Sequence, residues 1–255
     1  MDQKQRSELA AQLVQLAEQA GQAILEIYAT DFAARAKADA SPVTDADERA
    51  EAIILDGLRR LTPAIPVVAE ESAAAGRAPT LTGGPFWLVD PLDGTREFVD
   101  RNGEFTVNIA LIEQGRPTLG VVHAPVLGLT YWNDGAGAFG REAAGEARPI
   151  RVRQPAADGL VVLASRSHRD ARTDDYLATV KVKALSYAGS SLKFCQVAEG
   201  IADHYPRIGR TMEWDTAAGH AVLAAAGGRV TTLDGRDLTY GKPGFANPDF
   251  IARGG

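Results

Sequence analysis

The run from Trp87 to Thr95, WLVDPLDGT, delivers two carboxylates and a hydroxyl at the end of an apolar segment. Phe86 to Val89 reads as a short buried strand, and Pro91 and Gly94 then force a turn, so Asp90 and Asp93 stay close together. Two carboxylates held that near repel and raise each other's pKa. A hard divalent cation removes the conflict and takes oxygen ligands by preference, magnesium being the natural choice. Gly94 and Thr95 also place amide N–H groups where a helical turn could begin and an anion could dock. Asp, Pro and Gly build plain surface turns as well. For one isolated turn that plainer reading would stand, but further acids lie upstream and downstream.

Upstream, the apolar Val67-Val68-Ala69 ends on Glu70-Glu71-Ser72, which puts carboxylates at a strand terminus, where sheet-based sites take their ligands. Downstream, Trp214-Asp215-Thr216-Ala217-Ala218-Gly219 opens a helix. Its small residues permit close backbone approach, and Asp215 sits near the start as a candidate ligand or an ordinary N-cap. Asp45 and Asp47 begin a second periodic helix behind Thr44, its expected N-cap; complementing the helix dipole would explain both acids equally well.

Taken together, these segments resemble the lithium-sensitive, magnesium-dependent phosphatase superfamily of inositol monophosphatases, fructose-1,6-bisphosphatases and 3′(2′),5′-bisphosphate nucleotidases. The match rests on Glu70-Glu71, on Asp90-Pro91-Leu92-Asp93-Gly94-Thr95, and on Trp214 to Gly219 with Ala226-Gly227-Gly228 after it. It extends from the first helix to Asn247-Pro248. Inositol monophosphatases usually continue the first signature as Asp-Gly-Thr-x-Asn-Phe. Here it runs Asp93-Gly94-Thr95-Arg96-Glu97-Phe98, then Arg101-Asn102-Gly103-Glu104-Phe105-Thr106-Val107-Asn108. That continuation is similar to the bacterial bisphosphate nucleotidases acting on adenosine 3′,5′-bisphosphate, the by-product of sulfate assimilation. Ser165-Arg166-Ser167-His168, Gly189 to Cys195 and Tyr205-Pro206-Arg207 point the same way.

The resemblance implies a layered αβαβα sandwich of mixed α+β and α/β character, and two or more Mg2+ ions per site. One ion would be held by Glu70, Asp90 and the Leu92 carbonyl, another by Asp90, Asp93 and Asp215, with Asp90 bridging. Water would be the nucleophile, oriented by Thr95, with Asp47 drawing a proton through the Thr95 hydroxyl and neither residue forming a covalent intermediate. The 3′-phosphate would be released, giving AMP and phosphate. Glu71 would serve as support behind the ligands or as a solvated strand-end acid. Around the reacting phosphate, Glu70, Leu92, Asp93, Gly94, Thr95 and Asp215 would also touch substrate. The second phosphate and the base would fall to Ser165, Arg166 and His168, to Gly189, Ser190 and Lys193, and to Arg207. Each of these has a plain counterpart: a polar loop, a helix cap for Gly189-Ser190-Ser191, a solvated surface charge for Lys193 or Arg207.

Three other features lead elsewhere. Gly135-x-Gly137-x-x-Gly140 spells a dinucleotide fingerprint, but no apolar helix follows, so it reads as a hairpin turn. Asp45-Ala46-Asp47 lacks the hydrophobic strand that an aspartyl-phosphate nucleophile needs before it. Cys195, the single cysteine, falls in an apolar helix pattern and reads as a buried small hydrophobe.

The elements that must position these residues follow from periodicity. A first helix carries Leu9, Leu13, Leu16, Ala20, Ile24 and Ile27 at helical spacing, and a second runs from about Asp45 to Leu61. Strands are predicted at Pro66 to Ala69, Phe86 to Val89, Phe105 to Ile112, Thr118 to His123 and Tyr131 to Trp132, with a hairpin turn at Glu113-Gln114-Gly115-Arg116. After the stretch from Pro149 to Gly159 the pattern becomes strand, helix, strand, helix: Leu160 to Ala164, Thr173 to Val180, Val182 to Tyr187, Ser191 to Ala198. We therefore expect an N-terminal α+β part, 1–155, carrying most metal ligands, and a C-terminal α/β part, 156–255, contributing Asp215 and substrate contacts. Ala73 to Arg77 is expected to be a mobile loop near the metals.

Composition sets outer bounds. With 255 residues and 45% hydrophobic content the chain can bury a substantial core. One cysteine excludes a disulfide framework and fits a reducing compartment. The polar N-terminus and the absence of long apolar runs predict neither signal peptide nor transmembrane segment, giving a cytoplasmic protein, free or peripheral to the inner membrane. A net charge of −6 argues against bulk nucleic-acid binding but not against a small-molecule nucleotide, because ions would neutralise the acids of the site. Oligomeric state is not encoded in any of these features. Two other functions share the fold: an inositol or other sugar-phosphate phosphatase, and a regulatory interaction protein, since some superfamily members serve in RNA polymerase complexes. Degraded ligands would mark the latter, and Asp47, Glu70, Asp90, Asp93, Thr95 and Asp215 are all present.

Overall fold

A computed structural model describes residues 1–36, 42–165 and 171–255. The chain opens with α1 (Gln3–Tyr28), started by a reciprocal cap in which Asp2 Oδ1 accepts from the Gln5 N–H and Gln5 Oε1 from the Asp2 N–H. The short strands β1 (Arg35–Ala36) and β2 (Pro42–Val43) pair antiparallel before α2 (Asp45–Leu61). Next come β3 (Val67–Ala69), α3 (Glu70–Ala74), β4 (Phe86–Asp93), α4 (Thr95–Val99), β5 (Thr106–Glu113), β6 (Arg116–Ala124), β7 (Leu129–Asn133), β8 (Ala138–Glu142) and β9 (Arg148–Ile150). The C-terminal part contains β10 (Leu160–Ser165), α5 (Ala171–Ala178), β11 (Val182–Ala188), α6 (Leu192–Ala198), β12 (His204–Arg207), α7 (Glu213–Ala225), β13 (Arg229–Thr232) and β14 (Phe250–Arg253).

Strands β3 to β9 form one sheet in chain order, antiparallel throughout except for the parallel β3–β4 pair. The other large sheet has the order β11-β10-β12-β14-β13, parallel across its first three strands. Both faces of the first sheet are covered, so its central strands read as continuous apolar runs rather than alternating ones. On β4, Trp87 and Val89 face the core under α1 and α2, while Phe86 and Leu88 face the core under α6 and α7. Helices α6 and α7 thus lie between the two sheets and the expected αβαβα layering is observed.

Close layering at α7 depends on small residues. A Cβ on Gly120 of β6 would stand 2.6 Å from the Ala218 carbonyl oxygen, and one on Gly219 would stand 2.7 Å from the Phe194 side chain. Both glycines are there because backbones and rings approach where any side chain would collide.

Three expectations need correction. Strand β4 does not end at Val89 but continues through Asp90-Pro91-Leu92 to Asp93. Asp90 pairs with Asn108 and Asp93 with Thr106, so Pro91 and Leu92 together oppose Val107 alone. That extra residue is a β-bulge, and it bends the strand at the candidate ligands where a turn was expected. Ala73 and Ala74 belong to α3 instead of a loop, and Gly76 ends the segment in the left-handed conformation at φ +71°. The short strands β1, β2, β8, β9, β12, β13 and β14 lie outside the predicted set. The hairpin turn at Gln114-Gly115 is observed, with both residues at positive φ, as is the turn within the glycine-rich segment after β7.

Candidate active site

The bulge in β4 turns Asp90 inward. This residue is buried, and its Oδ1 accepts from the Leu92 N–H at 3.0 Å, locking the Asp90-Pro91-Leu92 arc into one shape. Gly94 then takes φ +92°, which a Cβ would disfavour, and starts α4 with Thr95 as its first residue. The Thr95 hydroxyl lies 3.3 Å from the Leu92 carbonyl and 3.2 Å from Asp47 Oδ1. Asp47 is buried at the start of α2, where its Oδ2 accepts from both the Thr44 N–H (2.7 Å) and the Thr44 hydroxyl (2.8 Å). The expected Thr44 cap is present, since its hydroxyl accepts from the Ala46 N–H. One carboxylate therefore caps its helix with one oxygen and reaches Thr95 with the other. Capping and a role in the site are not alternatives here.

The remaining acids gather in a cleft of about 1310 Å³ whose lining includes Glu70, Asp93, Thr95 and Asp215. Burial pushes the Asp93 carboxyl up to about 6; Lys193 pulls it back, and Glu97 and Glu70 add to the rise. Asp215 lies well above the ordinary carboxylate range, again through burial first, then through Asp93 and Glu70. Asp215 sits three residues into α7's N-terminal turn, reaching back with Oδ2 to the Met212 N–H at 2.9 Å. As these side chains stand, no three of the described acids, histidines or cysteines gather tightly enough to hold an ion. Each of Asp90, Asp93 and Asp215 accepts from an N–H or O–H donor instead, the Leu92 N–H, the Ser191 hydroxyl and the Met212 N–H respectively. The donor set nevertheless suits a hard divalent cation, being all oxygen, part-buried and mutually repulsive.

Several contributors escaped sequence reading. Glu51, buried on α2, accepts from the Glu71 N–H (2.8 Å), the Ser72 N–H (2.9 Å) and the Ser72 hydroxyl (2.6 Å). Helix α3 has no side-chain cap of its own at Ala69, so Glu51 supplies one from another helix and thereby seats Glu70. The signal was its place on the buried stripe Asp47, Ala50, Glu51, Ile54, Leu58, where an acid is out of character. Asn108 and Ser191, treated below, enter sequence reading only as part of the Arg101–Asn108 continuation and of the Gly189-Ser190-Ser191 cradle or cap, with no role at the metal ligands.

The basic residues assigned to the second phosphate, Lys193 and Arg207, both line this cleft. Lys193 is buried rather than a solvated charge, its Nζ donating to the Ala188 carbonyl (3.0 Å) and the Ser190 carbonyl (2.7 Å). Burial draws its pKa down to about 8, with Asp93 pulling the other way. Gly189 does not offer an empty anion cradle, because its N–H donates to Glu104 Oε2 at 2.8 Å and the Ser190 hydroxyl donates to the Glu104 carbonyl. A Cβ on Gly189 would lie 2.4 Å from that carbonyl oxygen, so only glycine fits. Arg207 lines the cleft; it donates to the Arg210 carbonyl, while its Nε is buried with no hydrogen-bond partner among the described residues. Ser165 and Ser190 line the same cleft, whereas Arg166 and His168 lie outside the described residues. Cys195 is fully buried, and burial holds its thiol well above its ordinary range.

Comparison with known proteins gives consistent results. The family model for the inositol monophosphatase family matches residues 5–252. The 3′(2′),5′-bisphosphate nucleotidase CysQ of Escherichia coli O157:H7 is 51% identical over 242 residues, covering 94% of this chain and 97% of that protein. The CysQ of Buchnera aphidicola is 43% identical over 245 residues, with 94% and 91% covered. Among solved structures, CysQ from Bacteroides thetaiotaomicron superposes with a TM-score of 0.81 at 36% identity, covering 97% of each chain.

Proposed function

Because the chain belongs to the inositol monophosphatase family, we propose that it hydrolyses the 3′-phosphate of adenosine 3′,5′-bisphosphate with two or more magnesium ions per site. Family membership carries metal-dependent phosphatase chemistry; the nucleotide comes from the CysQ relatives and from what lines the cleft. The observation that carries most weight is the Asp47–Thr95 contact at 3.2 Å beside a cleft lined by Glu70, Asp93 and Asp215.

In this reading Asp90, Asp93, Glu70, Asp215 and the Leu92 carbonyl hold the ions. Bound magnesium supplies positive charge to the phosphoryl and leaving oxygens and makes water a better nucleophile. The protein's own part is proton handling and orientation. Thr95 donates its hydrogen to Asp47 Oδ1, which leaves its oxygen lone pairs turned toward the attacking water. That water gives a proton to Thr95 as Thr95 passes its own to Asp47. The new P–O bond forms as the bond to the ribose 3′-oxygen breaks, and the alkoxide takes a proton from solvent, yielding AMP and phosphate. Asp47 is prepared for this because Thr44 holds only its other oxygen.

Residues 1–155 hold most ligands and the proton relay, and residues 156–255 give Asp215 and the substrate contacts. Arg207, with a buried guanidinium N–H lacking an acceptor among the described residues, suits the 5′-phosphate. Ser165, Ser190 and Lys193 border the same space, Lys193 acting by its charge more than by direct donation, since two carbonyls already engage its ammonium group. Arg166 and His168 complete the proposed set, and Gly94 contributes its backbone. No described helix is long and apolar enough to cross a membrane; a cytoplasmic placement, free or peripheral to the inner membrane, belongs to this proposal.

Phosphate release with magnesium from adenosine 3′,5′-bisphosphate, inositol 1-phosphate and fructose 1,6-bisphosphate, each with and without lithium, tests the reading. We expect the nucleotide to be preferred and its hydrolysis to be suppressed by lithium. Preference for a sugar or inositol phosphate would overturn the substrate; no turnover of any would favour an interaction protein on the same fold.

A further inference from the structure

Ser191 stands immediately before α6, where a serine ordinarily caps its own helix. It does not do so, since no side-chain cap hydrogen bond is made there. Its buried hydroxyl points away from the helix, 3.1 Å from Asp93 Oδ2 and 2.8 Å from the Asp215 carbonyl. Asn108, buried on β5, donates from Nδ2 to that same hydroxyl at 2.9 Å and lies 3.4 Å from Asp93 Oδ2. The amide is oriented in turn by the Thr106 hydroxyl, which donates to Asn108 Oδ1 at 3.1 Å. With Asn108 donating into it, Ser191 must send its single hydrogen toward Asp93 or the Asp215 carbonyl. One oxygen atom therefore joins the end of β4, the start of β5 and the first turn of α7.

We propose that Ser191 is a positioning residue for the metal site, which with Asn108 fixes the Asp93 carboxylate against the α7 turn that carries Asp215. The inference rests on the reading of Asp93 and Asp215 as ligands. Of the two, Asp93 stands on the bulged end of a strand and Asp215 on a helix, and hydrophobic layering aligns such elements only loosely. A buried hydroxyl within bonding distance of both, accepting from Asn108 and sending its one hydrogen to one or the other, supplies the remaining constraint.

The test is calorimetric titration of the folded, metal-stripped protein with magnesium chloride alone, without nucleotide. Ser191→Ala is expected to weaken magnesium binding about tenfold, the low end for loss of an outer partner of a ligand, and to raise the half-saturating magnesium concentration for phosphate release by the same factor. Asn108→Ala is expected to do likewise and carries the test if Ser191→Ala does not fold. The double variant is expected to lose little beyond either single one, because both act through one oxygen. Unchanged magnesium affinity in folded Ser191→Ala or Asn108→Ala overturns the proposal, as do independent, fully additive losses. A wild-type protein that binds no magnesium overturns the ligand assignment instead, so the two failures are distinct.

Discussion

At the scale of single residues, the site is a set of acids made tolerable by hydrogen-bond donors, near in the chain for Asp90 and Asp215 and distant for Asp93. Asp90 is buried and tied to the Leu92 N–H. Asp90→Asn keeps the shape and removes the charge; phosphate release is expected to fall by more than about a hundredfold, beyond the loss typical of an outer partner, with circular dichroism unchanged. Retained activity in the folded variant would refute the two-metal assignment. Thr95→Ala is expected to lower kcat by about 10²–10⁴-fold, the range of a proton-transfer group, while magnesium binding measured by calorimetry stays near wild type. The pH dependence follows from Asp93. The folded protein keeps this carboxyl protonated up to about 6, whereas the unfolded chain releases the proton near about 4. Without metal, this group therefore costs the folded state stability as pH rises through that window, and Asp215 acts in the same sense. Comparing melting temperatures in EDTA, Asp93→Asn should gain on wild type as pH climbs from about 4 to about 7. A constant difference would show that Asp93 is not buried at the expense of its charge.

At the scale of elements, α3 is the weakest piece of the site. It spans Glu70–Ala74, buries none of its own residues, and is held at its start by Glu51 of α2. Glu51→Ala leaves two amides and a hydroxyl without their acceptor, at a cost of about 1–3 kcal/mol, so the melting temperature is expected to drop by several degrees. Hydrogen exchange should locate the change at Glu71 and Ser72, and full protection there would contradict the capping role. Helix α7 is the opposite case, wedged between two sheets. Gly120→Ala would drive a methyl into the Ala218 carbonyl, which is backbone and cannot yield like a side chain. A loss of about 1–3 kcal/mol is expected from such overpacking, read as a lower denaturation midpoint.

At the scale of the whole molecule, the cleft takes its walls from both large sheets and from the helices around them. Glu70, Asp93 and Thr95 come from the seven-stranded sheet and its helices; Ser190, Lys193, Arg207 and Asp215 come from the C-terminal elements. Ligands that bind only the folded arrangement stabilise it by mass action. Magnesium is therefore expected to raise the melting temperature near neutral pH, and EDTA to reverse the rise. No shift at millimolar magnesium would argue against a metal site formed from both parts.

The sequence by itself determined the helices and strands whose apolar spacing is strong, the capped start of α2 at Thr44, and the identity of the acids grouped around the DPLDGT segment. Local physics suffices for these, because periodicity, capping and turn chemistry act within a few residues of the chain. The bulge at Pro91-Leu92 escaped it, since a bulge is defined by the partner strand and not by the strand that carries it. Glu51 under α3, Lys193 turned back on the carbonyls of Ala188 and Ser190, and Ser191 aimed away from its own helix were likewise decided by tertiary structure. In each, burial has directed a polar side chain to partners that its own helix pattern does not name. A buried polar group must find a partner wherever the fold brings one, and sequence distance does not limit where that partner lies.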